Sequence, residues 1–277
     1  MSIADSGKAD GGPPVAAEIG VERWRRGTLT RERDLVAEEM PVALVYHGVP
    51  HAVMLATPAD LEDYAVGFTL SEGLVVRPDE IRGVEVTYGE EAAEVRVSVA
   101  WDRFSALIDR RRNLTGRTGC GLCGEETVEQ AVRDLKPVGA GIRLSPAELH
   151  EAIIQLTHLQ PINARTGSVH AAAWVLPGKG IQLVREDVGR HNALDKAIGA
   201  WVRSGKDPAG GALLLTSRAS FEMVQKSATV GVTFIAAFSA PTAFAVRVAE
   251  RAGVTLVAFA RESQHVVYTH PWRLELP

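Results

Sequence analysis

Large apolar residues are scarce over residues 1–18, MSIADSGKADGGPPVAAE, and the chain becomes regularly patterned only near Pro41. A stretch so poor in large side chains cannot offset the entropy of ordering, which predicts a tail over 1–18. Beyond it, VALVY (42–46) and AVMLA (52–56) flank a turn around Gly48-Val49-Pro50 and predict a β-hairpin. Leu61, Tyr64, Ala65 and Phe68 then recur at helical spacing. With Thr57 as N-cap and Pro58 at the first helical position, they predict a helix over 58–72 that stops at Gly73. A second hairpin is expected from VEVTY (84–88) and EVRVSVA (94–100), so that residues 19–113 read as a small N-terminal α+β subdomain.

The second half has a different rhythm. Val128, Val132 and Leu135 are spaced as one face of a short helix starting near Glu125. Ser145-Pro146-Ala147-Glu148 is a capping box with proline at its first helical position, and Leu149, Ala152, Ile153 and Leu156 supply that helix with a buried face. From His170 the prediction alternates: strands 171–176 and 181–185, helix 190–203, strand 212–216, helix 219–230, strand 232–238, helix 242–252 and strand 254–260. Near-continuous apolar strands between amphipathic helices predict an α/β core over 127–277, its mostly parallel mixed sheet covered by helices on both faces.

Composition adds little to this picture except at one place. Apolar residues make up 46% and charged residues 23%, which suits a soluble protein with a substantial core. The formal charge of −4 conceals a cluster, Arg110 to Arg112 with Arg117, that suits a compact anion better than a nucleic acid. No signal peptide and no apolar run of membrane-spanning length is found, so a cytoplasmic location without membrane attachment, and hence reduced thiols, is expected.

The only two cysteines, Cys120 and Cys123, stand in TGRTGCGLCGEE (115–126), just after that cluster. A thiol pair on a loop at 114–126 can carry sulfur, exchange a disulfide or hold half a metal site. Gly119, Gly121 and Gly124 leave little side-chain mass to bury the pair, and a closed structural zinc site would need two histidines from distant positions. Cys123 precedes a predicted helix start, where the helix dipole and the arginines lower a thiol pKa and Glu125 and Glu126 offset them. Sulfur relay through a persulfide is the best chemical reading, with a thiolate nucleophile plausible at either cysteine.

Ligands of open α/β sheets bind at the carboxyl ends of strands. Those ends are polar here, with Glu186 to Asn192, Ser217 to Ser220, Ser239 to Thr242 and Phe259 to Gln264 following successive strands. Arg190, Arg218 and Arg261 at neighbouring ends are suited to phosphates, and His191 and His170 are the histidines best placed to matter. Neither a P-loop nor a dinucleotide-binding glycine motif occurs. Two polar stripes, Asn192/Asp195/Lys196 and Glu222/Gln225/Lys226, read first as solvated helix faces, and their closeness to the strand ends keeps a functional reading open.

Several segments together carry a family resemblance: VYHGVPHAVMLATPADLEDYAVGFTLSEGL, RTGCGLCGEE, RTGSVHAAAW, REDVGRHNALDKAIG, SRASFEMVQK, SAPTAFAVRVAE and FARE. Over about residues 33–274 the chain resembles the formate dehydrogenase accessory sulfurtransferase family (FdhD). The resemblance implies a cytoplasmic, homodimeric sulfur carrier with a cytidine deaminase-like core. It further implies that sulfur comes from a cysteine desulfurase and goes to a molybdenum bis(molybdopterin guanine dinucleotide) cofactor destined for formate dehydrogenase. A guanine nucleotide such as GDP is expected to mimic that acceptor, with no permanent metal and no nucleic-acid partner. The persulfide-bearing position falls on Cys120, with Cys123 beside it. The cofactor-binding segment falls on Phe259, Ala260, Arg261, Glu262, Ser263 and Gln264, joined by Arg190, His191 and Arg218. A zinc deaminase reading fails because His170 is followed by Ala171-Ala172 and not by the H-x-E glutamate. A non-catalytic chaperone that only holds the cofactor is the alternative function.

Overall fold

The structure, a computed structural model, describes residues 12–113 and 135–275. Cys120 and Cys123, the loop expected at 114–126 and the helix expected from Glu125 lie outside the described residues.

The first element is a two-stranded antiparallel ribbon, β1 (Ala16–Arg25) with β2 (Thr28–Ala37), closed by a turn at Arg26-Gly27. It begins inside the segment read as a tail. Its alternation is one of opposite charges, with Arg23 paired to Glu32 and Asp34, Arg31 to Glu22 and Arg33 to Glu18. Apolar patterning could not reveal it.

A four-stranded sheet of order β4-β3-β6-β5 follows, from β3 (Met40–Tyr46), β4 (Val49–Ala56), β5 (Ile81–Tyr88) and β6 (Ala93–Val99). The first hairpin turns at His47-Gly48, both with positive φ, which is one residue earlier than expected. The helix α1 (Leu61–Ser71) starts three residues late because Thr57 does not cap it; Asp60 takes the N-cap position in the left-handed region. A further helix, α2 (Trp101–Asn113), for which no element was expected, runs into the arginine cluster at 110–112.

Beyond these lie α3 (Pro146–His158), whose Ser145/Glu148 capping box forms as expected, and the short α4 (Pro161–Thr166). The core sheet has six strands in the order β12-β11-β10-β9-β7-β8. They are β7 (His170–Leu176), β8 (Gly180–Asp187), β9 (Ala212–Leu215), β10 (Phe234–Ala237), β11 (Thr255–Arg261) and β12 (Gln264–Thr269). The last was not expected, because the chain was read as running out of the sheet at Phe259. Since β9, β10 and β11 are parallel, and β7 is antiparallel to both β9 and β8, the strands β8 to β11 all point one way. Only β7 and β12 oppose them; the sheet is mixed as expected, but three of its five neighbouring pairs are antiparallel and not most of them parallel, because β7 is inserted between β9 and β8 against their direction and β12 folds back on β11.

Alternate residues of each strand face opposite layers. Leu213 and Leu215 pack under α5 (Arg190–Arg203), α6 (Phe221–Thr229) and α7 (Ala243–Ala252), whereas Leu214 and Ala212 pack under α3 through Leu149, Ile153 and Leu156. Trp174 and Trp201 stack at 5.0 Å within the first layer. The N-terminal subdomain joins the core through α1 against α5. A Cβ on Gly67 would stand 1.7 Å from the Asp195 carbonyl oxygen, and one on Gly199 would stand 1.8 Å from that of Asp63. Two glycines face to face therefore set the separation of the subdomain from the core.

Candidate functional site at the carboxyl edge of the sheet

Because four strands point one way, their carboxyl ends meet on a single edge. From one side to the other it carries Asp187 to Asn192 after β8, His170 at the start of β7, Thr216 to Ser220 after β9, Phe238 to Thr242 after β10, and the β11–β12 turn. Arg190, Arg218 and Arg261 are brought to this edge as expected, but they do not share one point. Neighbouring strands lie about 4.8 Å apart, so the four strand steps from Arg190 to Arg261 span about 19 Å. That spread matches an extended ligand with several phosphates better than a single phosphate.

At one end sits the Arg190–His191 turn. Its scaffold is Asp187, wholly buried, whose carboxylate accepts from Gly189 N at 2.8 Å, Asn192 Nδ2 at 2.9 Å and Thr57 N at 3.0 Å, and pairs with Lys196 Nζ at 2.7 Å. Lys196 and Asn192 continue to backbone carbonyls of the N-terminal subdomain, at Thr57 (2.9 Å) and Leu55 (2.7 Å). Thr57 Oγ1 accepts from Val188 N at 3.1 Å. Gly189 is required by this closeness, since a Cβ there would meet Asn192 Nδ2 at 2.8 Å.

On this base the Nε of Arg190 is buried with no hydrogen-bond partner in the structure, an orphaned donor on a cation. Burial first, then the charge of Arg190, hold His170 and His191 below the ordinary imidazole value. His191 Nε2 lies 3.1 Å from Glu222 Oε2, to which Ser220 Oγ donates at 3.2 Å. A neutral imidazole steadied by a carboxylate beside an unpaired guanidinium is an arrangement for holding an anion and tracking its protonation.

At the other end, the expected cofactor segment is the β11–β12 turn. Arg261 closes β11, Glu262 and Ser263 form the turn, and Gln264 opens β12. The register breaks between Ala258 and Arg261, and Phe259 sits in the left-handed region at φ 49° and is 42% exposed. A bulge with an aromatic residue at positive φ is strained backbone of the kind that collects at binding sites. Ala260 is buried beneath it. Arg261 donates to the carbonyls of Phe238 and Ala260 and lies over the Phe238 ring, which aims it along the edge. Arg218 is exposed between the two ends.

The two polar stripes are not solvated. Asp195 and Lys226 are buried, with Nζ 2.8 Å from Asp195 Oδ2, 2.7 Å from Glu72 Oε1 and 3.1 Å from Ser71 Oγ. Burial works against the ammonium, but Asp195 and Glu72 outweigh it and hold Lys226 above its ordinary value. Asn192, Lys196 and Gln225 are buried too, and Asn192, Asp195, Lys196 and Lys226 bond to residues of the N-terminal subdomain and so join it to the core. The signal that could have found Asn192 and Lys196 is the acidic pair Glu186-Asp187 at the end of a strand, where a buried carboxylate must find donors. Among the described residues no group of three or more His, Cys, Asp or Glu is placed to hold a metal ion. No helix among them is long and apolar enough to cross a membrane.

Comparison with known proteins identifies the family. The model of the FdhD/NarQ family matches residues 37–275. The chain belongs to this family. It is 52% identical over 266 residues to the sulfur carrier protein FdhD of Cupriavidus necator, covering 96% of this chain and 92% of that one. The sulfur carrier protein FdhD of Xanthomonas euvesicatoria pv. vesicatoria is 49% identical over 256 residues, with 92% and 91% covered. A crystal structure described as that of a formate dehydrogenase accessory protein from Desulfotalea psychrophila superposes with a TM-score of 0.74 at 24% identity, covering 95% of this chain and all of that one. The two chains therefore share the fold.

Proposed function

We propose that this protein is a cytoplasmic sulfurtransferase of the sulfur-carrier kind. It takes sulfur from a cysteine desulfurase as a persulfide on Cys120 and delivers it to a molybdenum bis(molybdopterin guanine dinucleotide) cofactor destined for formate dehydrogenase. The observation that carries the reading is the 52% identity, over nearly the whole chain, to a protein named a sulfur carrier, in a chain whose only thiols are Cys120 and Cys123. In the loading step the Cys120 thiolate attacks the outer sulfur of the donor persulfide, the donor cysteine leaves as thiolate, and one S–S bond replaces another without net oxidation. Cys123 acts with Cys120 in handling that sulfur.

The carboxyl edge supports the second half of the reading. An acceptor with two guanine nucleotides is long and carries several phosphates, which suits a row of arginines about 19 Å in extent. The orphaned Arg190 Nε and His191 would bind phosphate oxygens at one end. The exposed Phe259 ring offers a stacking face for a base at the other, with Ala260 to Gln264 around it. GDP, as part of this acceptor, is the simplest probe. The core resembles a cytidine deaminase in fold without its reaction, since no glutamate follows His170 at the H-x-E position.

Replacement of Cys120 by alanine tests the reading in cells. Formate dehydrogenase activity should be lost while the protein still binds its cofactor; full activity with Cys120→Ala would instead favour a chaperone that only holds the cofactor.

A further inference from the structure

Where α3 meets the edge strand of the core sheet, two imidazoles face each other. His150 lies in the second turn of α3 and His265 is the second residue of β12, and His150 Nε2 stands 2.9 Å from His265 Nδ1. The ring centroids are 5.1 Å apart and the ring planes are inclined by 56°. Strand alternation puts His265 on the same face of β12 as Val267, which packs into the layer under α3. On α3, His150 follows the buried Leu149 and precedes by one turn Ile154, which is 36% exposed. Both histidines are therefore half-buried at the rim of this layer, within reach of solvent.

Two neutral imidazoles can share only one proton between facing nitrogens, one donating and the other accepting. When each ring carries its proton on the far nitrogen, both lone pairs converge on one point. Among the described residues no carboxylate pairs with either ring, and no third His, Cys, Asp or Glu joins them to make a set of three. Imidazoles without carboxylates suit zinc, nickel or copper, whereas magnesium and calcium take oxygen ligands. Zinc–nitrogen bonds of about 2.0–2.1 Å at a tetrahedral angle place two nitrogens about 3.3 Å apart, only about 0.4 Å wider than the present gap.

We propose that His150 and His265 form a two-imidazole site for an exchangeable divalent transition-metal ion of the zinc kind, which ties α3 to β12. The ion takes the place of the proton between the rings. That proton moves through water to the far nitrogen of the ring that held it, so both rings stay neutral and no proton is released. Water completes the coordination, which makes this an open site, unlike the closed four-ligand sites of structural zinc. The tie acts where the sheet is least supported. Strand β12 pairs with β11 alone, through a ladder with two register breaks, and His265 directly follows Gln264, the last residue of the expected cofactor segment. The inference does not depend on the sulfur chemistry proposed above.

Zinc titration in a calorimeter tests it, with the full-length chain carrying Cys120→Ser/Cys123→Ser so that the thiols do not compete for the ion. One zinc ion should bind with a Kd below about 100 μM. His150→Gln and His265→Gln keep a hydrogen-bonding group on each side of the gap but remove one imidazole, and each should raise that Kd at least about tenfold. Zinc at about ten times its Kd should raise the melting temperature of the thiol-free chain by about 3–6 °C, and that of either glutamine variant at the same concentration by less than about 2 °C. Melting without metal checks that each variant is folded. Zinc-edge X-ray absorption of the thiol-free chain reads the ligands with both histidines intact and should show two imidazoles. A Kd above about 100 μM, a glutamine variant that binds zinc as its parent does, or an absorption spectrum with fewer than two imidazoles would overturn the proposal.

Discussion

Replacing Asp187 by alanine removes the carboxylate on which the Arg190–His191 turn and the subdomain junction both depend. The change strands a fully buried ammonium, Lys196 Nζ, that now has its partner at 2.7 Å. It also strands three neutral donors at Thr57 N, Gly189 N and Asn192 Nδ2. Breaking a buried ion pair from one side costs about 3–5 kcal/mol. Each orphaned donor adds about 1–3 kcal/mol unless water enters the space left by the carboxylate. Lys196 retains the Thr57 carbonyl, and water can reach a cavity lined by polar atoms, so a loss of about 4 kcal/mol is expected. At about 2–4 °C per kcal/mol for a chain of this size, the melting temperature should fall by about 8–16 °C. Thermal melts followed by circular dichroism read it directly. The double variant Asp187→Ala/Lys196→Met removes the stranded charge and should regain at least about 1 kcal/mol over the single variant. A fall under about 3 °C, or a double variant no more stable than Asp187→Ala, would refute the idea that this carboxylate holds the two parts together.

Other consequences follow from the same geometry. Gly199→Ala drives a methyl group to 1.8 Å from the Asp63 carbonyl oxygen, so α1 and α5 must separate. A loss of at least about 1–3 kcal/mol in urea unfolding is expected, and a neutral effect would contradict the close packing. Arg190→Ala should weaken GDP binding at least about tenfold in calorimetry, the value of one charge-assisted hydrogen bond, and unchanged affinity would remove Arg190 from the site. His170 and His191 are held below their ordinary value, so as pH falls the unfolded chain protonates before the folded one. Their contribution to stability is complete above about pH 6.5 and declines below it until the folded imidazoles also protonate. The melting temperature of His170→Gln/His191→Gln should therefore depend less on pH below about 6.5 than that of the wild type, and parallel curves would contradict the assignment.

The core was legible in the sequence wherever burial is local. Leu149, Ala152, Ile153 and Leu156 follow helical spacing after a capping box, and the apolar strands from His170 to Ala260 show their alternation with helices. Their order also foretold that Arg190, Arg218 and Arg261 would share an edge. What stayed hidden depends on partners distant in the chain. Asn192, Asp195 and Lys196 look like a solvated stripe until Leu55, Thr57 and Ser71 arrive from more than a hundred residues away. Thr57 resembles an N-cap followed by proline, yet its hydroxyl serves Val188 N. The β1–β2 ribbon escaped because its cross-strand pairs are ionic, and β12 because a bulge and a tight turn separate it from β11.

The proposed function requires sulfur to be carried covalently on Cys120. Incubation with a cysteine desulfurase and cysteine, followed by mass spectrometry of the intact protein and its peptides without reductant, tests it most directly. A one-sulfur adduct on the peptide containing Cys120, absent from Cys120→Ala, is the predicted result. An unmodified Cys120 beside a desulfurase that demonstrably turns over would contradict it.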